Sequence, residues 1–126
     1  MKNNSVLIDS DVLIWWLRGR QDVVKKLSSL LPEIKIITTP VTVAEIWAGA
    51  RKGEEQIMEE LFRNIEVIDI DEQIGKLAGN YIKQYKTSHK IELGDALIAA
   101  SVSVYKIKLW TFNIKHYPMI EKKGFL

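Results

Sequence analysis

A short apolar run that ends in two carboxylates, V-L-I-D-S-D at residues 6–11, constrains the fold of this chain more than any other stretch. An apolar run of this length, bounded by polar residues, is typical of a strand buried on both faces, as in a parallel sheet covered by helices. Such sheets place ligands just beyond the carboxyl ends of their strands. Asp9 and Asp11 are therefore predicted to lie at an edge where functional groups collect.

Short apolar or β-branched runs recur along the chain and alternate with helical patterns. Further strands are predicted over residues 34–38, 65–70 and 106–111, and residues 119–126 are compatible with a short edge strand. Strands that alternate with helices favour a parallel sheet that is covered on both faces. The chain is therefore predicted to adopt an α/β fold, a three-layer α/β/α sandwich with a central parallel sheet of four to five strands.

Local signals predict where several helices begin and end. Ser10 or Asp11 is expected to cap a first helix over residues 11–18, because a short polar side chain can accept hydrogen bonds from unpaired backbone amides there. Asp71 is expected to cap the helix after the third strand. Residues 87–90 are predicted to form a polar loop that leads into an alanine-rich helix.

The composition excludes several classes of protein. With 126 residues, 47% of them hydrophobic and 27% charged, the chain is predicted to be a single domain spanning residues 1–126. Its apolar runs are too short to cross a bilayer, so a cytoplasmic protein without a membrane partner is expected. The lack of cysteine excludes disulfides, thiolate zinc sites and a cysteine nucleophile. A net charge of +2 permits RNA binding without indicating it.

Four polar side chains follow a strand, or lie in the helix after one, and are expected at the same sheet edge: Asp9, Glu45, Asp95 and Asn113. Three carboxylates that lie close together repel one another and raise each other's pKa. A hard divalent cation such as Mg²⁺ relieves that repulsion and prefers oxygen ligands. A metal site is therefore the hypothesis that best explains the acids.

Each acid near this edge also has a structural interpretation. Glu45 lies in apolar surroundings and could pair with Arg51 instead of joining a shared acidic site. Asp95, near a helix amino terminus, could serve as a cap that the helix dipole favours. Asp11 is compatible with either capping or metal binding, and Glu92 with simple exposure to solvent.

Four motifs occur in order across nearly the whole chain: L-I-D-S-D, T-V-A-E-I, L-G-D-A-L-I-A-A and T-F-N-I-K-H-Y. In these motifs and their spacing the sequence resembles the PIN-domain nucleases, and most closely the VapC-type toxins of toxin–antitoxin pairs. The resemblance implies a metal-dependent endoribonuclease that a cognate antitoxin holds inactive. It also implies products with a 5′-phosphate and a 3′-hydroxyl.

The resemblance implies roles for individual residues. The acids that match those holding Mg²⁺ or Mn²⁺ in the family are Asp9, Glu45 and Asp95. Asn113 matches a fourth position filled by aspartate or asparagine, Thr111 matches the hydroxyl before it, and His116 matches an acid or histidine beyond it. Because Asn113 has no charge, the resemblance does not extend to a firmly held second ion, and Asp11 or Glu92 is the alternative source of a further carboxylate.

The resemblance further implies partners. The basic residues expected to contact RNA around the acidic pocket are Arg18, Arg20, Arg51, Lys52, Lys86, Lys90 and Lys115. A homodimer is implied, with an antitoxin in a groove formed by the early helices. The groove would involve Trp15, Trp16, Trp47 and the helix bearing Met58 and Phe62. Trp15 and Trp16 have the alternative interpretation of core aromatic residues.

Three other functions fit parts of the sequence. A PIN domain that binds RNA or a partner without cleavage is compatible with the uncharged Asn113. A haloacid-dehalogenase-type phosphatase is compatible with the pair Asp9 and Asp11, but it also needs a catalytic lysine and a later acidic pair. A Mg²⁺-binding receiver module would need a phosphate-accepting aspartate after the third strand, where Asp69 and Asp71 fit only loosely.

Overall fold

Four parallel strands form one sheet in the part of the chain that the structure, a computed structural model, describes, which is residues 4–126. The strands are β1 (Ser5–Ile8), β2 (Lys35–Thr38), β3 (Glu66–Val67) and β4 (Lys108–Trp110). Their spatial order is β3-β2-β1-β4, so β1 lies in the interior between β2 and β4. Because the strands are parallel, the residues that follow them meet at one edge of the sheet.

Helices cover both faces of the sheet. They are α1 (Ser10–Leu17), α2 (Gln21–Leu30), α3 (Pro40–Ala48), α4 (Glu55–Arg63), α5 (Glu72–His89) and α6 (Leu93–Tyr105). The alternating side chains of β1 explain the two layers: Val6 and Ile8 belong to a core cluster that includes residues of α1, α2 and α4, whereas Leu7 belongs to a cluster that includes residues of α6. The predicted α/β/α sandwich with a parallel sheet is confirmed.

The edges of the sheet are shorter than predicted. β3 keeps only two residues of the predicted 65–70 strand. The edge strand predicted over residues 119–126 is wrong: Lys122–Gly124 forms a 3₁₀ turn, which Gly124 N closes by donating to Glu121 O at 2.8 Å. Only Phe125 bridges to Leu109 in parallel fashion, so the predicted fifth strand reduces to a single bridge.

Two helix boundaries also differ from prediction. The polar loop predicted at residues 87–90 is largely helical, because α5 continues to His89 and ends at Lys90, whose left-handed backbone still donates to Lys86 O at 3.0 Å. The cap of α1 is Asp9 rather than Ser10 or Asp11.

None of the helices within residues 4–126 is both long and apolar enough to cross a membrane.

Replacing Asp71 by alanine is expected to lower the free energy of unfolding by about 1 kcal/mol. The Asp71 carboxylate caps α5, as predicted, by accepting a hydrogen bond from Ile74 N at 3.0 Å. Urea unfolding measures the loss as a lower midpoint with an unchanged slope. Asp69→Ala, two residues earlier at an exposed position, is the matched control. Equal losses in both variants would contradict the capping role.

Candidate active site

Asp9 is the most constrained acid at the carboxyl edge of the sheet. It follows β1 directly, and its backbone amide extends the pairing with β4 by donating to Trp110 O at 3.0 Å. Its Oδ1 accepts from Ser10 N at 2.8 Å, and its Oδ2 accepts from the hydroxyls of Thr111 at 2.9 Å and Tyr117 at 2.7 Å. The residue is only 6% exposed. Three donors therefore fix this carboxylate in one orientation.

Asp11 anchors the loop after β4 to the start of α1. Its Oδ1 accepts from Val12 N at 2.7 Å, while its Oδ2 accepts from Phe112 N at 2.9 Å and lies 3.4 Å from the Thr111 hydroxyl. Burial raises the pKa of Asp11, and the charge of Asp9 raises it further. Thr111 Oγ1 also accepts from Asn113 N at 3.0 Å. The loop that contains Asn113 is thus held against both aspartates.

Glu45 projects from α3 toward the same acids. It forms no ion pair with Arg51 or any other residue in the part of the chain described by the structure, so the alternative of pairing with Arg51 is wrong. Desolvation of its carboxyl group raises the pKa of Glu45, although the residue as a whole is exposed; the charges of Asp9 and Asp95 raise the pKa further, and the nearby Ser10 side chain opposes the shift. Glu45 therefore shares one electrostatic environment with Asp9 and Asp95.

Asp95 approaches the same edge from the first turn of α6. Its Oδ2 accepts from Glu92 N at 3.2 Å and lies 3.8 Å from His116 Nδ1. Burial raises the pKa of Asp95, although the Glu92 hydrogen bond and His116 oppose the shift. Its predicted capping role is real, and the same residue also takes part in the acidic cluster. Glu92 is exposed at the helix cap and adds its charge to the cluster.

Gly94 permits the close approach of α6 to α3. A Cβ atom at this position would lie 3.3 Å from Val41 Cγ1 and 3.5 Å from Glu45 Oε2. A side chain here would crowd the Val41 side chain and would touch the Glu45 carboxylate. The glycine of the L-G-D motif therefore lets α6 pack beside Glu45.

A divalent cation fits the chemistry of this donor set. The carboxylates share one edge, repel one another and offer the hard oxygen ligands that Mg²⁺ prefers. Within residues 4–126, no three histidine, aspartate or glutamate side chains come together as a ready-made group for one ion. Mg²⁺ usually binds through one or two carboxylates and keeps several waters, so this geometry still suits it. The joint ligand set of Asp9, Glu45 and Asp95 stays a prediction.

Tyr117 is a site residue that the sequence did not reveal. The side chain is 1% exposed and donates to Asp9 although it lies 108 positions away in the chain. Burial raises the pKa of Tyr117 far above its usual range, and the charge of Asp9 adds to the shift, so the phenol stays protonated as a donor. The T-F-N-I-K-H-Y motif contains this residue, but only the tertiary fold shows its contact.

The basic residues predicted to contact RNA have different surroundings. Arg18 pairs with Glu54 at 3.5 Å and Arg20 with Asp22 at 2.7 Å, so acids partly offset both charges. The other predicted contacts are all exposed: Arg51, Lys52, Lys86, Lys90 and Lys115. Exposure leaves these cations able to reach a polyanion, and their contact with RNA stays a prediction.

The sequence matches the family model described as PIN domain over residues 6–119. The chain therefore belongs to the PIN domain family. Ribonuclease VapC10 from Mycobacterium tuberculosis is 36% identical over 118 residues, which is 93% of this chain and 89% of the relative. Ribonuclease VapC19 from the same species is 31% identical over 115 residues, or 90% of this chain and 92% of the relative. The predicted membership of the VapC-type group is confirmed.

A solved structure shows the same fold. A toxin–antitoxin complex from Klebsiella pneumoniae contains a chain that superposes with a TM-score of 0.80 and 24% identity. The match covers 96% of this chain and 95% of the other. The fold of this chain is therefore that of a known structure.

Proposed function

We propose that this chain is an endoribonuclease toxin that hydrolyses RNA phosphodiester bonds and that a cognate antitoxin neutralises. The observation on which the proposal rests is the convergence of Asp9, Glu45 and Asp95 at one sheet edge, in a chain related over most of its length to named VapC ribonucleases. The haloacid-dehalogenase and receiver alternatives lose support, because this chain matches the PIN domain model over residues 6–119.

The proposed reaction needs Mg²⁺ or Mn²⁺, which Asp9 and Asp95 would hold with help from Glu45. When bound, the ion supplies positive charge for the phosphate and lowers the pKa of water. Asp9 is suited to a fixed position because Ser10, Thr111 and Tyr117 already orient its oxygens. Glu45 has a raised pKa and is suited to accept the proton of the attacking water.

The proposed protein partner would bind on either side of α4. One depression of about 320 Å³ is lined by Trp47, Phe62 and neighbouring residues. A second, of about 250 Å³, is lined by Trp16, Ile57 and other residues of α1 and α4. Trp47 and Ile57 remain exposed, whereas Met58 is buried in the core. An amphipathic segment of an antitoxin would cover the exposed apolar side chains.

We also propose that the toxin is a homodimer.

The proposal is tested by incubating purified protein with structured RNAs in Mg²⁺, in Mn²⁺ and in chelator. Cleavage with either ion and none in chelator is the expected result, because the acidic cluster needs a cation before it can accept a phosphate. Metal-independent cleavage would contradict the mechanism. RNA binding without cleavage under all three conditions would favour the non-cleaving alternative, which the neutral Asn113 supports.

Mg²⁺ is expected to raise the melting temperature of the wild type by a few degrees and that of Asp95→Asn by less. A ligand that binds only the folded state stabilises it by roughly 1–2 kcal/mol at a tenfold excess over its Kd. Asp95→Asn lacks one carboxylate, so Mg²⁺ binding relieves less repulsion between carboxylates in the variant than in the wild type. Differential scanning fluorimetry with Mg²⁺ and with chelator measures both shifts. Equal shifts in the two proteins would exclude Asp95 from metal binding.

A further inference from the structure

An exposed cluster of two aromatic rings and one guanidinium lies beside the candidate active site. Its members, called here the aromatic platform, are Trp15, Arg20 and Phe112. The guanidinium carbon of Arg20 lies 5.3 Å from the ring centroid of Trp15 and 4.8 Å from that of Phe112. Both distances are within cation–π range. Trp15 is 46% exposed and Phe112 44% exposed, so both rings offer surface to a ligand.

The aromatic platform is connected directly to the acidic cluster. Phe112 lies between Thr111 and Asn113, and its backbone amide donates to Asp11 Oδ2 at 2.9 Å. A group stacked on Phe112 would therefore lie one residue from the hydroxyl that contacts Asp9. Trp15 was expected in the antitoxin groove, but neither Trp15 nor Phe112 lines the depressions beside α4, so the aromatic platform lies outside the antitoxin surface proposed above.

The cation of the aromatic platform is held in place and partly neutralised. Arg20 Nε donates to Asp22 Oδ1 at 2.7 Å, which fixes the guanidinium near the two rings. Because the Asp22 charge offsets that of Arg20, attraction for a phosphate is weak here. The rings of Trp15 and Phe112 and the planar guanidinium of Arg20 therefore offer flat surfaces to a ligand. Such surfaces favour stacking over ion pairing.

We propose that the aromatic platform stacks an unpaired RNA base beside the acidic cluster. The inference rests on the proposed function and specifies its substrate as RNA that is single-stranded next to the cleaved bond. Proteins stack single-stranded bases on aromatic rings and arginine planes, whereas paired bases in a helix are not available for this contact. Every base has a π face, so the aromatic platform tolerates any base and selects for an unpaired one.

The test measures RNA binding in the Asp95→Asn background, where cleavage does not interfere. Fluorescence anisotropy of a short labelled single-stranded RNA is compared for Phe112→Leu, Trp15→Leu and the ring-retaining variants Phe112→Tyr and Trp15→Phe. Each leucine variant is expected to bind about tenfold more weakly, because one stacked base contributes about 1.4 kcal/mol. The ring-retaining variants are expected to bind within about twofold of the parent, because they keep a ring on which a base can stack.

Two further conditions, a change of salt concentration and the use of a fully paired RNA, distinguish base stacking from ionic binding. The tenfold loss in the leucine variants should be the same at about 50 mM and about 200 mM salt, since stacking releases no counterions, although total affinity falls with salt. A fully paired RNA should show no difference between leucine and ring-retaining variants. Equal binding of single-stranded RNA by all variants would overturn the proposal. Unchanged RNA affinity in the leucine variants, together with lost binding of a cognate antitoxin, would overturn it too, and would assign the rings to a protein partner.

A failure of the aromatic-platform proposal can be distinguished from a failure of the proposed function. If the wild type cleaves RNA and Phe112→Leu and Trp15→Leu cleave with unchanged KM, only the aromatic platform is wrong. If the wild type cleaves no RNA with Mg²⁺ or Mn²⁺, the proposed function fails, and the anisotropy measurement still decides whether the aromatic platform binds single-stranded RNA. A raised KM with a nearly constant kcat in both leucine variants supports both proposals.

Discussion

Asp95→Asn is expected to reduce RNA cleavage by at least about a hundredfold while the fold stays intact. The substitution removes a charge proposed to hold the cation, and losing several kcal/mol of transition-state stabilisation slows a reaction tenfold per about 1.4 kcal/mol. Asparagine keeps an oxygen that can accept from Glu92 N, so the first turn of α6 is preserved. Initial rates with saturating Mg²⁺ measure the loss.

The sign of the stability change separates a catalytic effect from misfolding. Burial raises the pKa of Asp95 above its ordinary value of 3.8, so ionisation destabilises the folded state as pH rises through that raised pKa. At neutral pH in chelator, Asp95→Asn is therefore expected to be at least as stable as the wild type. Glu72→Gln, which removes an exposed charge from the first turn of α5, is the matched control and should keep full activity. Full activity in Asp95→Asn would refute the assignment.

Tyr117→Phe is expected to cost about 1.5–3 kcal/mol of unfolding free energy, the usual worth of a hydrogen bond to a charged group. The phenol donates to Asp9 Oδ2 at 2.7 Å in a buried setting, and its loss leaves that oxygen with only the Thr111 hydroxyl. Urea unfolding in chelator measures the effect. The Mg²⁺ concentration that gives half-maximal cleavage should also rise by roughly tenfold, as is typical when a residue that orients a ligand is removed.

Tyr105→Phe is the matched control for this substitution. It removes the same hydroxyl from the last turn of α6, the end of the helix opposite to Asp95. Little change is expected in unfolding free energy or Mg²⁺ dependence. If Tyr117→Phe behaved like this control in both measurements, the contact with Asp9 would have no role in orienting the carboxylate.

The parallel sheet and the convergence of the acids followed from the order of residues along the chain. The apolar run of β1 has buried side chains on both faces, a pattern that amphipathic strands do not show. Once the strands are parallel, chain order alone places Asp9 after β1 and Thr111 after β4 at one edge. The cap of α5 was equally predictable, because Asp71 and its Ile74 partner are three residues apart.

Features that depend on distant parts of the chain were not predictable in this way. The contact of Tyr117 with Asp9 spans 108 positions, and no local pattern distinguishes a tyrosine at a site from one in a core. Residues 119–126, with Lys122 and Lys123, were compatible with a short edge strand, whereas the structure forms a 3₁₀ turn there and uses only Phe125, in a single bridge. Thr87 and Ser88 have low helix propensity, but α5 continues through them.

Asp9 follows β1, caps α1 and accepts hydrogen bonds from two hydroxyls, so folding and chemistry depend on the same side chain. A mutation that neutralises it removes a helix cap and a proposed metal ligand in one step. Asparagine at this position would point its NH₂ group either at Ser10 N or at the hydroxyls of Thr111 and Tyr117. These groups donate hydrogen bonds to the carboxylate, so two donors would face each other. Selection for stability and selection for activity therefore act on a single carboxylate and favour the same residue, so the usual trade-off between the two properties does not arise at position 9.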